Sequence, residues 1–242
     1  MGTETILLAS LIVFWAFIVL GMTGFGSGLI MVPLLLLFLD IKLVVPVSRV
    51  LGVLCVGYLT VRLWREIRRD LLLPVLVGSL FGTVLGTYVL ASYDSTLLRK
   101  VFGGFVILFS VRMFFESRGV KSLKLGRRAG FLAGMISGWT ASAFGTAGPP
   151  AVIYYNYTIR RKNVFRATLI TYFFLGSIWG LVVYGWAGLI TMEVIRFTLY
   201  LLPAFVAGAA LGFRLHGQVN EALFRRVVAA VLLITAGFLI FL

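Results

Sequence analysis

Long apolar runs follow one another along nearly the whole chain, separated by short polar connections. They cover approximately residues 5–39, 42–64, 71–91, 97–115, 129–157, 164–187, 194–213 and 223–242. An α-helix needs roughly 20 apolar residues to cross the hydrocarbon core of a bilayer. Backbone amides in lipid must be satisfied within their own segment, so a series of such runs predicts a bundle of membrane helices. The strict alternation of apolar and polar residues expected of a membrane β-barrel is missing. The fold class is all-α and polytopic. Two of the runs are interrupted, 5–39 around 21–28 and 129–157 around 138–150.

The two interruptions resemble each other. Gly21-Met-Thr-Gly-Phe-Gly-Ser-Gly28-Leu-Ile-Met-Val-Pro33 aligns without a gap on Gly138-Trp-Thr-Ala-Ser-Ala-Phe-Gly145-Thr-Ala-Gly-Pro-Pro150. Gly21 then falls on Gly138, Gly28 on Gly145 and Pro33 on Pro150, and Arg49 falls on Arg166 at the same offset. Further on, Leu72-Leu-Pro74 resembles Leu201-Leu-Pro203, and Leu98-Arg-Lys100 resembles Phe224-Arg-Arg226 after a small shift. Any one match is at chance level; together, and in order, they indicate a duplication. The expected organisation is a first repeat over 1–117, a basic linker over 118–128 and a second repeat over 129–242.

Charge placement adds an orientation. The net charge of +14 does not describe a nucleic-acid surface, because the basic residues lie in short stretches between apolar runs. Arg62, Arg65, Arg68 and Arg69 form one cluster; Arg112, Arg118, Lys121, Lys124, Arg127 and Arg128 form another. Arg160, Arg161 and Lys162 make a third, and Arg214, Arg225 and Arg226 flank a fourth connection. Ser92–Thr96 and Gly188–Glu193 contain no basic residue. Basic connections belong on the cytoplasmic side. With all four clusters inside, 129–157 enters and leaves on the same face as a re-entrant hairpin, and 5–39 does so from the opposite face. The result is an inverted repeat of one broken hairpin and three crossing helices per unit, with both termini external. The N-terminal run, lacking a basic n-region and a small-residue cleavage site, reads as the first membrane element and not as a signal peptide. The location expected is a bacterial or archaeal inner (plasma) membrane.

The candidate chemistry sits at the breaks. Glycine allows close backbone approach, so Gly24, Gly26 and Gly28, and Gly145 and Gly148, can expose amides at a helix start, where the dipole favours an anion. Ser27, Thr23, Ser142 and Thr146 add hydroxyl donors, and Pro33, Pro149 and Pro150 fit helix breaks because proline lacks an amide donor. The competing reading is that these small residues only let helices pack closely. Gly78, Gly82 and Gly86, spaced by four, belong to packing. Arg49 and Arg166 each lie inside an apolar run, and all eight acidic residues fall near segment ends. A guanidinium at membrane depth faces a cavity or a partner and grips oxyanions bidentately; the alternative is snorkelling to the headgroups. Asn156, Tyr154, Tyr155 and Tyr172 around the second break are weaker candidates, set against the interface or packing roles that tyrosine more often has. Cys55 and His216 are the single cysteine and histidine, so neither a metal site nor a cofactor is expected, and His216 receives no role.

At the two breaks the sequence resembles the TauE/SafE family of sulfite exporters and sulfur-anion transporters. That family shows a G-x-G-G-G-x-(x)-x-P-x-L stretch near the start of each half. The first copy here reads Gly24-Phe-Gly-Ser-Gly28-Leu-Ile-Met-Val-Pro33-Leu34, with Ser27 in place of a middle glycine; the second, through Gly145-Thr-Ala-Gly-Pro149-Pro150, departs further. The resemblance implies export, or sometimes uptake, of small anions such as sulfite, sulfonates or thiosulfate. The residues alone support only a small anion; the favoured reading is an alternating-access carrier that binds it at the midplane between the two breaks, near Arg49 and Arg166. An anion channel is the alternative. An intramembrane enzyme acting on lipid phosphate ranks lower, because no Asp, Glu or His lies at membrane depth to serve as acid or base.

Overall fold

The computed structural model describes residues 2–24, 26–63, 66–115, 125–146 and 149–215, together with 233, 235 and 237–239. The expectations for Arg65, Arg118, Lys121, Lys124, Gly148, His216, Arg225 and Arg226, and for most of 223–242, lie outside these residues. Among the described residues the regular structure is helical, without a strand. The elements are α1 (Thr3–Thr23), α2 (Ser27–Leu35), α3 (Ile41–Leu63), α4 (Arg69–Ser92), α5 (Ser95–Phe115), α6 (Arg127–Phe144), α7 (Pro149–Thr158), α8 (Lys162–Trp186) and α9 (Met192–Arg214). Their bounds follow the apolar runs closely, because in lipid a helix persists wherever the segment is apolar and stops where polar groups reach the interface. By length and composition α1, α3, α4, α8 and α9 can each cross a membrane, so the chain is an all-α, multi-pass membrane protein. Pro46, Pro74 and Pro203 sit inside α3, α4 and α9, tolerated as they are in membrane helices generally.

The structure narrows both breaks. Gly21 and Gly138 lie within α1 and α6, and the helices end at Gly24 and Gly145, whose positive φ of 87° and 69° close them in the left-handed conformation. Each of these glycines donates its amide back into its helix, Gly24 to the Leu20 carbonyl (2.7 Å) and Gly145 to that of Ala141 (3.0 Å). The left-handed conformation strains any residue with a Cβ, so these glycines are the terminators. Gly24 and Gly145 hold the same place at the ends of α1 and α6, and the starts of α3 and α8 follow them at the same spacing. In consequence Arg49 lies about one turn deeper into α3 than Arg166 lies into α8.

The chain forms two compact units, each assembled from distant segments. One comprises Met1–Leu51, Tyr93–Glu116 and Ile190–Leu242. Its main packing is α1 on α9. A Cβ on Gly208 would overlap the Phe14 backbone, one on Gly212 that of Ile18, and one on Gly21 would come within 2.8 Å of Gly212. Phe17 and Phe205 meet edge to face, 4.7 Å between centroids. The Arg99 guanidinium donates to the Leu39 carbonyl (3.2 Å), fastening α5 to the end of the α2 arm.

The other unit comprises Gly52–Ser92 and Ser117–Leu189 and is built around α4 on α6. Gly78, Gly82 and Gly86 of α4 lie against the backbone of Phe131, Met135 and Trp139, while Gly134 and Gly138 of α6 lie against Val75 and Ser79. Lipid provides no hydrophobic drive between helices, so backbone proximity and the dispersion contacts it allows hold them together. The packing role expected of Gly78, Gly82 and Gly86 is realised in this interlocking ladder. The Trp179 indole donates to the Leu80 carbonyl (3.2 Å), and the Arg68 amide to the Thr168 hydroxyl (3.1 Å), joining α8 to α4 and to the connection before it.

Candidate functional site

Each unit holds one break and the arginine that follows it. In the first unit, Gly24 terminates α1, and Gly26, also left-handed at φ 98°, caps the start of α2 without a side-chain hydrogen bond. Ser27 is the first helical residue and is buried; Gly28 follows, half-buried. The amides at this end are therefore offered by the backbone alone, as at helix starts that hold anions. Pro33 lies inside α2 and not at the break. Lacking an amide, it leaves the Leu29 carbonyl without its helical donor and weakens the last turn before the helix ends at Leu35. Arg49, only 7% exposed, stands within α3, near the buried Ser48, whose hydroxyl is returned to the Val45 carbonyl (2.8 Å).

The second break is built differently. Pro149 and Pro150 are the first two residues of α7. That position suits proline, but it removes two of the amides that a helix start would otherwise present to a ligand. The second break thus has fewer helix-start amides than the first, in keeping with its larger departure from the Gly-rich pattern in the sequence. Among the described residues, Thr146, 1% exposed, has a hydroxyl oxygen without a hydrogen-bond partner, and the same holds for Tyr155, fully buried in α7. Ser142 lies buried in the last turn of α6, where its carbonyl accepts from the Tyr184 phenol (2.7 Å). Across the packed helices, a Cβ on Gly86 would come within 3.0 Å of Ser142, and the next residue, Thr87, carries another buried hydroxyl without a partner. Arg166 lies one turn into α8 and is half-buried.

Thr87 was not singled out by the sequence, and Tyr155 only as a weaker candidate. Tyr155 sits among aromatic rings, 5.5 Å from Tyr154 and 6.2 Å from Tyr172 between centroids, which agrees with the packing role read for all three. What the sequence does not display is that its oxygen is sealed away from both water and protein acceptors. Asn156 is exposed and turns from that cluster. Among the described residues no group of His, Cys, Asp and Glu is arranged to hold a metal ion. Buried hydroxyl donors without acceptors complement an acceptor-rich ligand.

Residues 9–239 match the family model described as Sulfite exporter TauE/SafE. Neither the curated proteins nor the solved structures gave a match. Coverage of nearly the whole chain, together with the membrane helices and the two Gly-rich breaks, leads to one conclusion: the chain belongs to the sulfite exporter TauE/SafE family of membrane transporters.

Proposed function

We propose that this protein exports a small sulfur-containing anion, sulfite or an organosulfonate, by alternating access, with the Gly-rich breaks supplying the donors. The observation that carries the reading is two buried hydroxyls without a partner among the described residues, Thr146 at the second break and Tyr155 further along α7. At the first break the uncapped start of α2, Gly26 to Gly28, supplies amides. Arg49 and Arg166 supply the positive charge. Gly148 is retained as a backbone donor from the sequence.

Depth supports the reading within each unit. α2 has 9 residues and α7 has 10, so they rise about 13 and 15 Å, half of a hydrocarbon core of about 30 Å. Asp40 and Arg160, both exposed, mark where these short arms reach the polar boundary. The breaks at their other ends then belong near mid-membrane. The inverted repeat is part of the proposal, and the reciprocal packing supports it. α1 of the first half packs on α9 of the second, while α6 of the second packs on α4 of the first. Exchanging the halves exchanges these two pairs.

Thermal unfolding of the purified protein with sulfite, thiosulfate, sulfate and organosulfonates tests the assignment, since a ligand that binds the native state raises its stability. Stabilisation by at least one sulfur oxyanion is expected, and its loss in Arg49→Ala and Arg166→Ala. Stabilisation only by an unrelated anion class would reject the sulfur-anion assignment. Counterflow of labelled substrate in proteoliposomes is expected of a carrier; flux without counterflow would favour the channel.

A further inference from the structure

Two basic connections that are far apart in sequence converge beside the starts of α4 and α8. Between them lies a cavity of about 600 Å³ lined by Glu66, Arg68, Arg161, Lys162, Asn163 and Val164. The lining places three cationic side chains against one carboxylate. Arg68 is turned toward Asp70, with two hydrogen bonds of 2.8 and 2.6 Å from its guanidinium. This pairing raises the Arg68 pKa further above its ordinary value and keeps the side chain on the cavity rim. Arg161 and Lys162 stand at the first turn of α8, where Arg161 is the N-cap residue and makes no side-chain capping bond. Cationic side chains and the positive end of a 25-residue helix therefore act on the same space.

We infer that this cavity is a binding site for the phosphodiester headgroup of an anionic phospholipid, separate from the transport site. Its place in the fold favours a lipid over a dissolved anion. α4 and α8 both begin here and both are long and apolar enough to span the membrane, so the cavity lies at headgroup level, where basic pockets between helices hold acidic lipids. Below Arg69, on the same face of α4 at intervals of four residues, come Leu73, Val77 and Phe81, with Leu73 58% and Phe81 59% exposed. A phosphate held in the cavity has acyl chains to lay along such a strip; a free anion has none. A zwitterionic headgroup would bring its own cation against Arg161 and Lys162, so the site selects a headgroup with net negative charge.

The test uses the purified full-length protein in a neutral detergent, with thermal unfolding and native mass spectrometry as readouts. Phosphatidylglycerol is expected to raise the midpoint and to remain bound, phosphatidylcholine to do neither. In Arg161→Gln/Lys162→Gln the phosphatidylglycerol affinity is expected to fall about tenfold, on the order of one charge-assisted contact; Arg196→Gln, on α9, is expected to leave it unchanged. If the double variant does not fold, the exposed Arg161→Gln alone is read in the same way. An unchanged phosphatidylglycerol response in these cavity variants overturns the site. An equal shift from inorganic phosphate alone overturns the lipid as its occupant.

Discussion

At Tyr155 and Thr146 a hydroxyl is shut away from water without a protein acceptor, an arrangement that costs about 1–3 kcal/mol per group. Such a cost is sustained where a ligand supplies the acceptor. Tyr155→Phe and Thr146→Val are therefore expected to leave the anion-free protein as stable as before or to raise its midpoint by about 2–4 °C per kcal/mol, while lowering transport. Unfolding scans with and without sulfite, beside proteoliposome flux, check this; a variant less stable yet fully active would remove these hydroxyls from the site. Gly24 makes a different demand. At φ 87° an alanine is strained by about 1–2 kcal/mol, so Gly24→Ala should lower the midpoint even in the absence of substrate. The glycines and hydroxyls at the breaks were legible in the sequence because each is a polar or small residue interrupting an apolar run. Tyr155 was not, because a tyrosine that packs and a tyrosine that donates have the same letter, and burial of the oxygen appears only in three dimensions.

Helix boundaries were read closely from hydropathy, since the bilayer imposes both the length and the ends of each element. Which glycine ends each helix was not. Gly24 and Gly145 do so, both left-handed, and only backbone conformation distinguishes a glycine that ends a helix from one that packs inside it. The α4–α6 ladder was visible as spacing, its partner helix was not. Replacing Gly82 by valine drives two methyl groups into the Met135 backbone. Overpacking of this kind costs about 1–3 kcal/mol or more, and a lower midpoint with reduced membrane yield is expected. At the start of α5, the Asp94 carboxylate accepts from the amides of Thr96 (2.9 Å) and Leu97 (3.4 Å), and these bonds hold its pKa below the ordinary carboxylate value. A depressed folded pKa stabilises above the unfolded value, about 3.9, and that contribution disappears as pH falls through the folded one. The midpoint difference between the parent protein and Asp94→Ala should thus be full at pH 7 and close as the pH drops below about 4.

Over the whole molecule, the order of spans among the described residues was legible from the apolar runs. The cavity shared by the 66–68 and 161–164 connections supports the sequence reading that both face the same side. Which helix packs on which was not legible, because apolar faces in lipid have no polar reverse side to betray their direction. The pairs that emerged, α1 with α9 and α4 with α6, each join the two sequence halves. Residues 1–117 and 118–242 expressed as separate chains are accordingly expected to be degraded singly and to accumulate when co-expressed, read by immunoblot of membranes. Accumulation of either fragment alone at the level of the intact protein would contradict this. The same pairing sets an order of assembly. α4 meets its partner as soon as α6 is synthesised, with only α5 and the linker between them, whereas α1 must wait until α2 to α8 have all been inserted before α9 arrives. In water, a helix face left open for that long would invite aggregation; in the bilayer, lipid chains cover Phe14, Ile18 and Gly21 until Gly208 and Gly212 displace them. A membrane thus lets an early helix find a late partner, and a fold of interlaced halves can be made by a ribosome that delivers them in sequence.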